Sequence, residues 1–86
     1  MIIDMLKRAT MITTPFGTEG QGVQFTSEQG TFRVTLLNNG KYLVRQRNVG
    51  RYDNGQVIGI INLDGIGQMI SQHTITSFQG LNGLSA

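Results

Sequence analysis

Apolar and polar positions repeat with a helical spacing at the start of the chain and alternate along most of its second half. Ile2, Ile3, Leu6 and Ala9 share one side of a helix over residues 2–9, while Asp4, Lys7 and Arg8 mostly face away. Thr13-Thr14-Pro15 is read as its stop, because the residue before a proline disfavours helix. Residues 10–30 read as a loop, rich in Gly and Thr over 14–22, with a short strand at Val23-Gln24-Phe25-Thr26 and a turn through Ser27-Glu28-Gln29-Gly30.

From residue 31 the pattern is that of a β-meander. Phe32, Val34 and Leu36 alternate with polar residues, and Asn39-Gly40 is a strong hairpin signal. The next strand, 41–47, sets Tyr42 and Val44 on one face and Leu43, Arg45 and Arg47 on the other. Asp53-Asn54-Gly55 predicts a second turn, before the apolar run 57–61. Gly59 inside that run implies bending or a close backbone approach. Asp64-Gly65-Ile66-Gly67 reads as a third turn, leading into a strand at 68–72 and a last one at 74–78. The pattern therefore predicts five strands over 31–78 after an N-terminal helix, and a loose polar tail at 79–86. Short strands at such spacing indicate a small barrel or a curved sheet in one domain covering 1–86.

Composition changes this picture by pointing outward. Apolar residues are 38% of the 86, a thin supply for a domain whose small size already limits its buried surface. Subunit contacts would make up the difference. No cysteine is present, which excludes a disulfide framework or a thiolate nucleophile, and the single His73 cannot build a multi-histidine metal site. No apolar run approaches the roughly 20 residues of a membrane-spanning helix. The opening Met1-Ile2-Ile3-Asp4-Met5-Leu6 has an acid within its apolar stretch and its bases after it, the wrong order for a signal peptide. The expected compartment is the cytoplasm.

Charge is scarce, with a net of +2, but it is not evenly spread. All seven Lys and Arg lie in the first 51 residues, and Lys41, Arg45, Arg47 and Arg51 fall together without an acid among them. A basic element on a nearly neutral chain suits a polyanion. It also suits a solvated strand face. Catalysis is not expected: Asp53 and Asp64 sit in turn contexts, and Ser71 and His73, placed on one strand face, lack the acid and oxyanion donors of a triad. No cofactor motif is present, Gly40, Gly59 and Gly65 reading as backbone devices.

Two segments resemble the motifs of the Sm-like family, in particular the bacterial RNA chaperone Hfq. Val34 to Leu43, with Asn39-Gly40 at its turn, resembles the first motif, and Tyr52-Asp53-Asn54 its closing aromatic–Asp–polar step. Gln68 to Ser77 resembles the second motif, in which a Tyr-Lys-His segment joins the last two strands. Here Ser71 and Gln72 replace the Tyr and Lys, Arg45 stands where the family usually has glycine, and the step from helix to first strand is longer. The resemblance implies a mainly β fold, a small, strongly bent five-stranded Sm-like barrel with a short N-terminal helix. It implies a closed homo-oligomeric ring of about five to seven subunits that binds single-stranded RNA as an RNA chaperone or processing scaffold. Tyr52 would stack a base, Asn54 would pair with a base edge, and Gln72 and His73 would hydrogen-bond RNA at the pore. Arg45, Arg47 and Arg51 would add phosphate contacts, with Asp53 orienting its loop. Each has a plainer alternative: His73 as a hydrogen bonder within the fold, Tyr52 packed at a barrel end, Arg45 and Arg47 against a neighbouring subunit. The rival to the whole reading is a structural β-rich assembly protein without nucleic-acid binding.

Overall fold

The computed structural model describes residues 1–48 and 55–86. One short helix, α1 (Ile2–Arg8), is followed by a small hairpin of β1 (Met11–Thr14) and β2 (Gly17–Gly20). A five-stranded antiparallel sheet then forms from β3 (Gly22–Ser27), β4 (Gly30–Leu36), β5 (Tyr42–Arg47), β6 (Gln56–Ile61) and β7 (Ile75–Leu81), with α2 (Leu63–Ser71) between the last two. The order across the sheet is β6-β5-β4-β3-β7. A meander thus runs from β3 to β6, and β7 returns to the far side of β3. Among the described residues neither β6 nor β7 has a strand on its outer side, so the sheet is open.

The alternation that predicts β4 and β5 also decides which face is buried. Val23, Phe25, Phe32, Val34, Tyr42 and Val44 form one apolar face. Against it pack Ile2, Met5 and Leu6 of α1 and Ile66 of α2. The Tyr42 hydroxyl donates to the Leu6 carbonyl at 3.0 Å, fastening β5 to α1 inside the core, and burial raises the phenol's pKa. Phe25 and Phe32 stack with ring centroids 5.1 Å apart.

Several sequence-based expectations are corrected. The segment 68–72 is helical, not a strand: Leu63, Ile66, Met69 and Ile70 recur at helical spacing, and the Asn62 side chain caps the start by accepting from the Gly65 N–H at 2.8 Å. Gly65 and Gly67 therefore lie inside a helix, and Ser71 ends it, not sharing a strand face with His73. Among the described residues four strands, β4 to β7, follow from Gly30 onward, and the fifth member of the sheet is β3.

The span 10–30 is not a loop with one strand. The chain leaves α1 at Ala9, which is already extended, and enters the β1–β2 hairpin well before Pro15. That hairpin turns at Pro15-Phe16; the Thr14 hydroxyl donates to the Gly17 carbonyl at 2.8 Å, and Gly17 takes a φ of +123° that favours glycine.

The tail is tied down. β7 extends to Leu81, Leu84 is buried, the Asn82 side-chain amide donates to the Gly20 carbonyl at 2.9 Å, and Arg8 reaches the Ser85 carbonyl at 3.0 Å. Gly80 is required by this return, because a Cβ there would lie 1.5 Å from the Leu84 carbonyl oxygen.

Gly59, by contrast, meets no backbone: a Cβ would touch only the Ile61 side chain, at 3.9 Å. It sits beside a register shift, where Val44 pairs with Gly59 but Arg45 with Val57. Among the described residues no helix is long and apolar enough to cross a membrane.

Candidate nucleic-acid interface

The five strands of the sheet contain no acidic residue. With one face of the sheet taken by the core and the two helices, their cations collect on the other. The hairpin register sets Arg33 opposite Arg45 and Thr31 opposite Arg47. Gln24 and Gln79 continue the first row across β3 and β7, and Thr26 and Ser77 the second. The Arg33 Nε donates to Gln24 Oε1 at 2.8 Å, which orients the guanidinium and uses one of its donors. Among the described residues the only ion pair joins the Met1 amine to Asp4, so Arg33, Arg45 and Arg47 meet no carboxylate.

A third row borders the arginines. Thr35 pairs with Leu43, and Leu43 with Ile60, placing a half-buried leucine and an exposed isoleucine next to the cations. Cations and hydroxyls beside a strip of apolar carbon can meet phosphates and unstacked bases together.

His73 lies elsewhere. It follows α2 and enters the core side of the sheet, where its ring stands edge-on to Phe32 with centroids 4.7 Å apart and to Phe25 at 6.0 Å. Its Nδ1 is 3.0 Å from the Oγ of buried Ser27. The same Oγ accepts from the Gln29 N–H at 3.2 Å. Beside it, Glu28 Oε2 accepts from the Thr74 N–H at 2.8 Å. Backbone N–H donors, its own and that of Thr74, hold the Glu28 carboxyl below its ordinary value. Gln72 is exposed and caps the C-terminal end of α2, its N–H donating to the Met69 carbonyl at 3.1 Å.

The residues singled out from sequence thus divide. Arg45 and Arg47 come together on the bare face, joined there by Arg33. Gln72 and His73 stand at the end of α2 on the helix side. Arg51, Tyr52, Asp53 and Asn54 lie outside the described residues. Among those described, no three His, Cys, Asp or Glu side chains gather as a metal site would require. Arg33 is not one of those residues, yet its signal is in the sequence: it alternates with core residues Phe32 and Val34, and the Asn39-Gly40 turn fixes its partner.

Compared with known proteins, the chain matches no family model, no curated protein and no solved structure.

Proposed function

We propose that the chain assembles through its two free sheet edges into a closed Sm-like ring, and that this ring binds single-stranded RNA as a cytoplasmic RNA chaperone or processing scaffold. The observation that carries the reading is the state of β6. Its outer edge is unpaired, and Val57, Ile58 and Ile60 on that strand are 45%, 48% and 53% exposed. An exposed apolar edge strand is a liability for a monomer and a docking element in an assembly. At the opposite edge, β7 borders an apolar groove of about 610 Å³ lined by Met1, Ile2, Ile3, Ile70, Ile75 and Phe78. Pairing β6 of one copy with β7 of the next joins two unlike surfaces, a heterologous contact that closes into a ring when the rotation allows.

In this reading the sheet bends into a small barrel, and the register shifts at Thr26/Ser27 and Val44/Arg45 supply the bending points. The acid-free arginines supply phosphate contacts, repeated in every subunit so that weak single contacts add by avidity.

The second reading, a structural ring without RNA, is favoured by one observation: His73 is already engaged with Ser27 and Phe32 inside the fold. Native mass spectrometry of nucleic-acid-free protein, alone and with oligouridine or oligoadenine, separates the two. A single closed oligomer that takes up RNA is the expected result. The same oligomer without uptake selects the structural reading, and a monomer overturns both.

A further inference from the structure

The loop and pore residues of the Sm-like resemblance do not account for Arg33, and they leave the bare sheet face unexplained. We infer that this face is a track for the phosphate backbone of single-stranded RNA, centred on the cross-strand pair Arg33 and Arg45 and extended by Arg47. The inference rests on the RNA reading above and adds to it a surface and a residue.

Three features of the face converge. First, the cations are grouped closely: neighbouring strands lie about 4.8 Å apart, and Arg45 and Arg47 are separated by roughly 6.7 Å along β5. Second, among the described residues no acid pairs with them: β3 to β7 carry none, and the described acids sit on α1, β2, α2 and the β3–β4 turn. Like charges directly opposite on paired strands are destabilising. A cross-strand Arg33–Arg45 pair without a carboxylate is therefore an unfavourable arrangement that a bound anion relieves. Third, the side chain most exposed in the pair is already oriented. Gln24 holds the Nε of exposed Arg33 and does not use its terminal nitrogens, the fork that meets a phosphate.

The neighbouring Leu43–Ile60 strip selects the form of nucleic acid. Duplex RNA hides its bases and offers mostly phosphate and ribose. A single strand has base faces to bury, and apolar carbon next to the guanidinium groups gives them a surface. Thr26, Thr31 and Gln79 add uncharged hydrogen-bonding groups along the same rows. None of these contacts reads a base edge by itself, so the track holds RNA with little sequence preference.

The test is fluorescence anisotropy with labelled oligouridine and oligoadenine across a salt series, on the assembled protein. Each phosphate contact on a single strand contributes about −0.7 to the slope of log affinity against log salt. Three contacts per engaged subunit predict a loss of roughly 18-fold between 50 and 200 mM salt. Arg33→Gln should weaken binding to both oligomers alike and flatten the slope by about 0.7 per engaged subunit. The triple variant R33Q/R45Q/R47Q should flatten it by about 2. Arg33 is exposed, so its single variant keeps the test open even if the triple variant misfolds. RNA binding with an unchanged slope in Arg33→Gln overturns the track and leaves the RNA reading standing. A wild-type ring that binds neither oligomer overturns the RNA reading itself. An intact fold that loses its ring in the triple variant assigns these arginines to subunit contacts and likewise overturns the track.

Discussion

The Oγ of Ser27 and the Nδ1 of His73 lie 3.0 Å apart, joining residues 46 positions distant in the chain. Ser27 shares this hydrogen bond with the imidazole, the donor being set by the ring's tautomer, and its Oγ also accepts from the Gln29 N–H. The contact anchors the segment between α2 and β7 to the end of β3. Ser27→Ala leaves both the ring nitrogen and the Gln29 N–H without this partner and should lower stability by about 1–3 kcal/mol. The check is urea unfolding, where the midpoint should fall with an unchanged slope. An unmoved midpoint would remove the anchor.

Glu28 gives this corner a pH dependence. Its folded pKa is depressed below the ordinary 4.5 by backbone N–H donors. Its contribution is therefore complete above 4.5 and is lost as pH falls through the lower folded value. Glu28→Gln removes the charge, so the stability gap between wild type and variant should be constant above pH 5 and close on acidification. Thermal melts at stepped pH read this directly, and a gap that widens toward acid would contradict the assignment.

The edge of β6 should govern assembly without governing the fold. Ile58 and Ile60 are about half exposed, so lysines at both positions leave the core intact. Charged side chains on an edge strand oppose pairing with another chain. Ile58→Lys with Ile60→Lys is expected to give a monomer by light scattering, with a circular dichroism spectrum like the parent's. An oligomer of unchanged mass would show that β6 is not the contact.

Gly80 is the position least tolerant of a side chain in β7. The 1.5 Å approach to the Leu84 oxygen is to backbone, which cannot swing aside as a flexible side chain can. Gly80→Ala should destabilise by about 2–3 kcal/mol, through loss of the tail's return onto the sheet. At Gly83 a Cβ would make only an ordinary contact with the Gln21 Nε2, at 3.6 Å, but the φ of +90° makes alanine there a backbone penalty of smaller size.

What could be read in the sequence follows from how local each signal is. The β4–β5 hairpin is legible because Asn39-Gly40 fixes a turn and the flanking alternation fixes the faces; Leu36 then meets Tyr42, and counting back brings Arg33 to Arg45. Helix α1 is legible from four apolar positions, although the structure buries Met5 where the pattern emphasised Ala9. Helix α2 is hidden by Gly65 and Gly67, which imitate a turn and mask the capping role of Asn62. The β1–β2 hairpin has almost no apolar periodicity, its second strand being exposed through Glu19, so pattern could not separate it from loop. The tail's order depends on long-range bonds from Asn82 and Arg8 that no local pattern encodes. For the same reason the sequence gathers Arg45, Arg47 and His73 into one site, while the sheet sends them to opposite sides.

The place of β7 beside β3 has a consequence for how the molecule is made. As the chain emerges from synthesis, β3 to β6 can pair hairpin by hairpin, each with its immediate predecessor. β3 then waits for a partner encoded about fifty residues later, its outer edge open until β7 arrives. That closure is the slow, non-local step of folding. Until it occurs, the nascent sheet has the flank of β3, with Phe25 beneath it, as its second free edge in place of β7. The interval before β7 docks is thus the moment of greatest exposure to misassociation, and the final few residues, by clamping β7 through Leu84 and Asn82, end it.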